Sequence, residues 1–183
     1  DVAVDRIKVE IGDSKQTDFL PQVKIQRWDN EVNFSARLIH EETAPVVSTL
    51  VDKIVWEGDK VSANFYDITE DEGGYEFEVI LKEKPKTNVV SFTLNTKGLD
   101  FFYQPFLKNQ NEDGSFWEEN EEGGRSECPA NVGGSYAVYA SENKVNYVGG
   151  KEYKCGKVGH IYRPRIEDAK GNKVWGELNV DTE

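Results

Sequence analysis

Between Val61 and Asn95 the chain reads VSANFYDI, TEDEGG, YEFEVILK, EKPKT and NVVSFTLN. In the three longer runs apolar residues recur at every second position. Val61, Ala63 and Phe65 share one face of the first. Tyr75, Phe77, Val79 and Leu81 share one face of the second, and Val90, Phe92 and Leu94 one face of the third. A period of two belongs to a strand with one buried face. The intervening segments are rich in Gly, Pro, Asp and Asn, which supply turn geometry. The pattern predicts an antiparallel meander of three strands.

The same alternation predicts strands on both sides of this stretch. DVAVDRIKVEI at the start reads as a first strand, and Val23–Trp28 and Glu31–Leu38 form a hairpin around Asp29-Asn30, a pair that tolerates positive φ. In residues 40–52, HEETAPVVSTLVD, Thr43 and Pro45 have the positions of a helix start, while the β-branched Val46-Val47 argue for a strand. Lys53–Trp56 reads as a strand. After Pro105 the periodicity stops, and residues 108–134 form a long excursion containing NQNEDG, EENEEGG and CPANVGG. Strand patterns resume at Ser135–Ala140, Val145–Val148, Val158–Glu167 and Lys173–Val180. About ten to twelve strands with almost no helix predict an all-β fold. The expected architecture is an antiparallel β-sandwich, jelly-roll-like, forming a single domain over residues 1–183 with one long acidic loop. A closed barrel is the alternative.

Composition narrows the partners. The 183 residues suffice for a core without staples. Acidic residues outnumber basic ones 34 to 22, for a net charge of −12. Nucleic acid and anionic membrane surfaces both reward the opposite sign, so neither is an expected partner. No run approaches the ~20 apolar residues of a membrane helix. The sequence contains no Met, from which processing or excision from a longer precursor is expected. Cys128 and Cys155 enclose 26 residues. A bridge between them would add roughly 3–4 kcal/mol by loop closure; two reduced thiols are the alternative.

Few residues suggest chemistry. There are two histidines, and no nucleophile elbow, phosphate loop or dinucleotide fingerprint. Cys128, Cys155 and His160 match no usual zinc spacing. Glu76 and Glu78 lie about 7 Å apart on one strand face, a separation glycosidases use, but alternation alone makes them the solvent face of a half-buried strand. No enzymatic activity is therefore expected, and no cofactor apart from a candidate calcium ion. Asn109, Asn111 and Asp113, followed by Gly114, repeat the opening of a calcium loop, but position twelve is Asn120 in place of the bidentate Glu, and Glu118, Glu119, Glu121 and Glu122 nearby would supply carboxylates in another geometry. A solvated acidic loop is the competing reading. Phe116, Trp117, Tyr103 and Phe106 are the candidate binding aromatics, suited to a protein interface or to sugar stacking unless they are core. Two devices could order the acidic excursion: docking of Phe116-Trp117 aided by a Cys128–Cys155 bridge, or calcium at Asn111, Asp113 and neighbouring glutamates.

Four segments carry a resemblance: QRWDNEVNF, GYEFEVILKEKP, TKGLDFFYQP and HIYRPRIEDAKGNKVWGELNVD. They resemble an uncharacterised β-rich domain of phage-like and environmental bacterial modular proteins, where further β-rich modules follow. The likeness spans most of the chain and is weaker over the acidic loop. It implies a modular, non-catalytic context. The expected role is a structural or assembly domain of a phage-like particle or extracellular surface structure, virion-associated or extracellular, in contact with other protein subunits or neighbouring modules. The alternative is a carbohydrate-binding module that uses exposed aromatics, assisted by calcium, with a glycan as partner.

Overall fold

The computed structural model describes residues 7–68, 74–141, 143–145, 152–154 and 156–181, with backbone alone for 143–145 and 152–154. The chain divides into two compact units, Asp1–Lys97 and Gly98–Glu183, where a single domain was expected. The alternating pattern runs through Lys97-Gly98-Leu99 with no Pro- or Ser-rich linker, so nothing local announces the division. Gly98, at φ 65°, sits at the join. Both units are all-β, their sheets are antiparallel, and no helix occurs among the described residues.

Unit 1 contains β1 (Lys8–Ile11), β2 (Gln22–Arg27), β3 (Val32–Leu38), β4 (Val46–Thr49), β5 (Lys53–Glu57), β6 (Val61–Ile68), β7 (Gly74–Leu81) and β8 (Phe92–Lys97). They form two four-stranded sheets, in the orders β1-β2-β3-β8 and β4-β5-β6-β7. The expected hairpin around Asp29-Asn30 is present as β2–β3. Its turn holds Trp28, Asp29 and Asn30 at φ 50°, 51° and 68°. Asn33 Nδ2 donates to Asn30 Oδ1 at 2.6 Å, which holds the left-handed residues in place.

The three-stranded meander is corrected. β6 pairs with β7, but β8 leaves that sheet and pairs with β3, placing Leu38 opposite Phe92 and Asn33 opposite Lys97. Residues 82–91, which include Pro85, are too long a connection for a tight hairpin turn and carry the chain to the other sheet. The helix considered for residues 40–52 does not form either. His40 packs on Trp56 with ring centroids 4.6 Å apart. The Glu42 carboxylate accepts the N–H groups of Asp59, Lys60 and Val61 at 2.8 Å each. These tertiary contacts, with Val46-Val47 in strand geometry, outweigh a helix start that had only Thr43 and Pro45 behind it.

Both sheets contribute to one hydrophobic cluster. Val23 and Leu38 enter it from the first sheet, and Trp56, Ala63 and Phe65 from the second, with Ile25, Ala36, Ile54, Phe77 and Val79 packed around them. Alternation explains the membership, since Ala63 and Phe65 are the every-second-residue face read from the sequence. Burying a side chain such as Phe65 contributes roughly 1.5–3 kcal/mol.

Unit 2 contains β9 (Leu99–Tyr103), β10 (Asn109–Gln110), β11 (Phe116–Glu119), β12 (Arg125–Cys128), β13 (Tyr136–Ala140), β14 (Asn143–Val145), β15 (Glu152–Lys154), β16 (Lys157–Ile161), β17 (Arg165–Glu167) and β18 (Lys173–Trp175). The sheets are β10-β11-β12, β16-β13-β9, β14-β15 and β17-β18. β13 is central, with Tyr136, Ala137, Val138 and Ala140 buried. The excursion of residues 108–134 is not a bare loop, because the β10-β11-β12 sheet and its two turns span Asn109–Cys128. Residues 158–167, read as one strand, split into β16 and β17 around Pro164, which cannot donate to a ladder. Breaks of this kind make the strands shorter and more numerous than the ten to twelve expected. Residues 146–148 of the Val145–Val148 run, and Val2 and Val4 of the first strand, lie outside the described residues.

Candidate functional site

A strand at the edge of a sheet offers unpaired N–H and C=O groups to any other strand, and proteins commonly guard such edges with charge or proline. The edges of unit 1 are β1, β8, β4 and β7. Lys8 and Glu10 guard β1, Lys97 guards β8, and Glu76 and Glu78 guard β7. β4 has the sequence VVST and carries no charge. All four of its residues are exposed, Val46 at 67%, and the apolar run continues through exposed Leu50 and Val51. Val47 and Thr49 lie opposite Trp56 and Ile54, both in the core cluster, so Val46 and Ser48 are the outward pair. Sequence reading had divided this segment between helix and strand and so missed the edge.

Glu76 and Glu78 are both exposed, on the face of β7 that points away from the core. They lie on β7 opposite Tyr66 and Asn64 of β6. Asn64, which is buried, donates from Nδ2 to Glu78 Oε2 at 2.6 Å. Loss of hydration, and then the charge of Glu78, push the Glu76 carboxyl above the usual carboxylate range. The Tyr66 hydroxyl is raised by the same loss of water and by both glutamates. The charge of Glu78 thus acts on the Glu76 carboxyl beside it.

In unit 2 the candidate calcium ligands fall on a hairpin turn. Asn109 Nδ2 donates to the Trp117 carbonyl at 3.3 Å, and Asn111 Nδ2 to Ser115 Oγ at 2.8 Å. Asp113 Oδ1 accepts the N–H and O–H of Ser115 at 2.9 and 2.6 Å. Those two bonds hold its carboxyl below the ordinary range. Glu118 is on β11, opposite Ser126. Among the described residues no three His, Cys, Asp or Glu side chains gather in a metal-holding group.

The candidate aromatics divide. Phe116 is buried and packs on Phe106, with centroids 4.9 Å apart, so it is core and offers no platform. Gly133 and Gly134 make room for this pair. A Cβ on Gly134, whose φ is 79°, would come within 2.6 Å of the Phe106 ring. Trp117 lies under the Arg125 guanidinium at 4.4 Å. Tyr103 and Phe106 remain exposed, Tyr103 edge-on to Tyr136 at 5.4 Å and Phe106 with Arg163 at 5.0 Å. Cys128 is partly buried, and burial pushes its thiol up. Cys155, its expected disulfide partner, lies outside the described residues.

Sequence reading also missed the contact between Ser135 and His160. Ser135 is fully buried, and its Oγ lies 2.5 Å from His160 Nε2 and 2.5 Å from the Val132 carbonyl. With no accessible hydroxyl this is a structural clasp, not a nucleophile and base. No protein-family model matches the chain, and neither a curated protein nor a solved structure is similar to it.

Proposed function

We propose that this chain is a non-catalytic assembly domain, joining copies of itself within a phage-like particle or an extracellular surface structure. The observation that carries the reading is β4, an exposed, uncharged, apolar edge in a unit whose other edge strands are charged. Pairing β4 with the same strand of a neighbouring copy satisfies its outer backbone groups and covers Val46, Leu50 and Val51. A net charge of −12 keeps free copies apart until such a specific contact forms.

In this reading unit 1 is a β-sandwich. The support is the core cluster shared by its two sheets. A jelly-roll order would pair many strands distant in sequence, and in unit 1 that holds for β3–β8 among the described pairings.

Sedimentation velocity over a range of concentrations tests the function. The intact chain associates, and the Val46→Lys/Ser48→Lys variant sediments as a monomer with unchanged circular dichroism. Both substitutions point away from the core, so folding is spared. A chain that stays monomeric at every concentration sinks the proposal. Glycan binding by that monomer, lost on replacing exposed Tyr103 and Phe106, would select the carbohydrate-binding alternative instead.

A further inference from the structure

The open edge of β4 has a definite order of backbone groups. In an antiparallel sheet, successive residues of a strand point their N–H and C=O alternately to one neighbour and to the other. Leu50 continues β4 past Thr49, and its N–H donates to the Lys53 carbonyl at 2.8 Å. Leu50 therefore bonds towards β5, and by alternation so do Ser48 and Val46, opposite Val55 and Glu57. The other side of β5 agrees. Gly58 N–H donates to the Val61 carbonyl at 3.0 Å, which turns the backbone groups of Trp56 and Ile54 towards β6 and leaves those of Val55 and Glu57 for β4. The groups on the open edge are then those of Val47 and Thr49, and among the described residues they meet no partner. Pro45, next in this series, has no N–H to offer.

This edge is complementary to itself in one register. A two-fold axis at Ser48 sets Val47 opposite Thr49 of the neighbouring copy, and Thr49 opposite its Val47. Both are bonding pairs, so the open N–H and C=O groups of both edges are all satisfied. An axis at Val47 sets Thr49 against Pro45, and the Thr49 carbonyl finds no donor there. An axis at Thr49 sets Val47 against Val51, which lies past the strand, between β4 and β5. Side chains choose the same register. On the outer face the axis at Ser48 sets exposed Val46 against exposed Leu50 of the neighbouring copy, and Ser48 against its counterpart. Either other axis opposes Ser48 to an aliphatic side chain. No charged residue occurs from Val46 to Leu50, so two chains of net charge −12 meet here on neutral groups.

We propose that unit 1 pairs with a second copy of itself antiparallel across β4, on a two-fold axis at Ser48, which joins the β4-β5-β6-β7 sheets of the two copies into one. This rests on the assembly reading and goes beyond it by fixing the direction and register of the contact. A contact on a two-fold axis is used up by one partner, so β4 makes closed pairs and no open rows.

Cysteine cross-linking of the full chain in a Cys128→Ser/Cys155→Ser background tests the register, with sedimentation velocity of the parent chain alongside. Opposed residues of a non-bonding antiparallel pair have Cα atoms about 4.5 Å apart, within reach of a disulfide. Ser48→Cys should therefore oxidise to a disulfide-linked dimer. Val46→Cys and Leu50→Cys should each stay unlinked alone and link to one another when mixed. A charge swap asks the same question without thiols. Val46→Lys and Leu50→Glu should each weaken association at least about tenfold, because each loses both cross-copy aliphatic pairs. The chain that carries both substitutions should regain association, since each lysine then faces a glutamate of the other copy, and raised salt should remove that gain. A parent chain that is monomeric at every concentration removes the assembly reading and this one with it. A parent chain that associates while Ser48→Cys stays unlinked, or while Val46→Cys links to itself, overturns the register and leaves the assembly reading standing. Should the cysteine-free background fail to fold, the charge swap decides: no regain in the double variant overturns the register.

Discussion

Phe77 of β7 and Phe92 of β8 meet edge to face, with ring centroids 5.1 Å apart at 81°, although their strands belong to different sheets. Phe77 also leans on Phe65 at 4.5 Å. The ring pair thus links the sheet that β8 left to the sheet it joined. Phe77→Ala should cost about 2 kcal/mol and Phe92→Ala, at the more exposed ring, about 1 kcal/mol, below the range for fully buried phenylalanines. Edge-to-face pairs couple by about 0.5–1.5 kcal/mol. A double-mutant cycle in urea measures this, and strictly additive losses would mean that the rings do not interact.

The clasp between Ser135 and His160 makes stability depend on pH. If Ser135 gives its proton to the Val132 carbonyl, its oxygen accepts from His160 Nε2–H. His160 Nδ1 is then unprotonated, and it is buried without a hydrogen-bond partner among the described residues. Burial, and secondarily the charge of Lys157, lower the His160 pKa. The unfolded chain therefore binds more protons than the folded one between that lowered value and about 6.5. Stability is full above this window and falls as the pH drops through it. His160→Gln should flatten that part of the melting-temperature profile. Ser135→Ala, which leaves His160 Nε2 unpaired while the Val132 carbonyl keeps the Ser135 backbone N–H, should cost about 1–3 kcal/mol at neutral pH.

The acidic hairpins should hold without calcium. The turn after β10 is closed by Asp113 and Ser115, and the turn after β11 by Asn120 Oδ1, which accepts the N–H groups of Glu122 and Gly124 at 3.2 and 2.7 Å. Arg125 lies over Trp117 and pairs with Glu127 at 3.0 Å. Chelation with EDTA should leave the melting temperature and the protease resistance of this region unchanged. A drop in either would return calcium to Asn109, Asn111, Asp113 and Glu118. Gly123, at φ 79° with open space around it, should lose about 1 kcal/mol to alanine through backbone strain alone.

What could be read without coordinates was local. Alternation set the core face of β6, Asp29-Asn30 set the β2–β3 turn, and Val46-Val47 already weighed against a helix. Each depends on residues a few positions apart, where backbone sterics and side-chain direction settle the outcome. The acidic excursion shows the limit. Its charges suggested a loop, but Phe116-Trp117 and Arg125–Cys128 pair as strands because the turns between them close on side chains whose partners no spacing rule specifies. The same holds for β8, whose pattern suits either sheet and whose place beside β3 is a long-range choice. The sequence determined the inward residues of β6 and β7, Ala63 and Phe65 on one and Phe77 and Val79 on the other. Only the tertiary structure decided which strands lie side by side and which edge stays open, because those depend on contacts between residues tens of positions apart that no local period encodes.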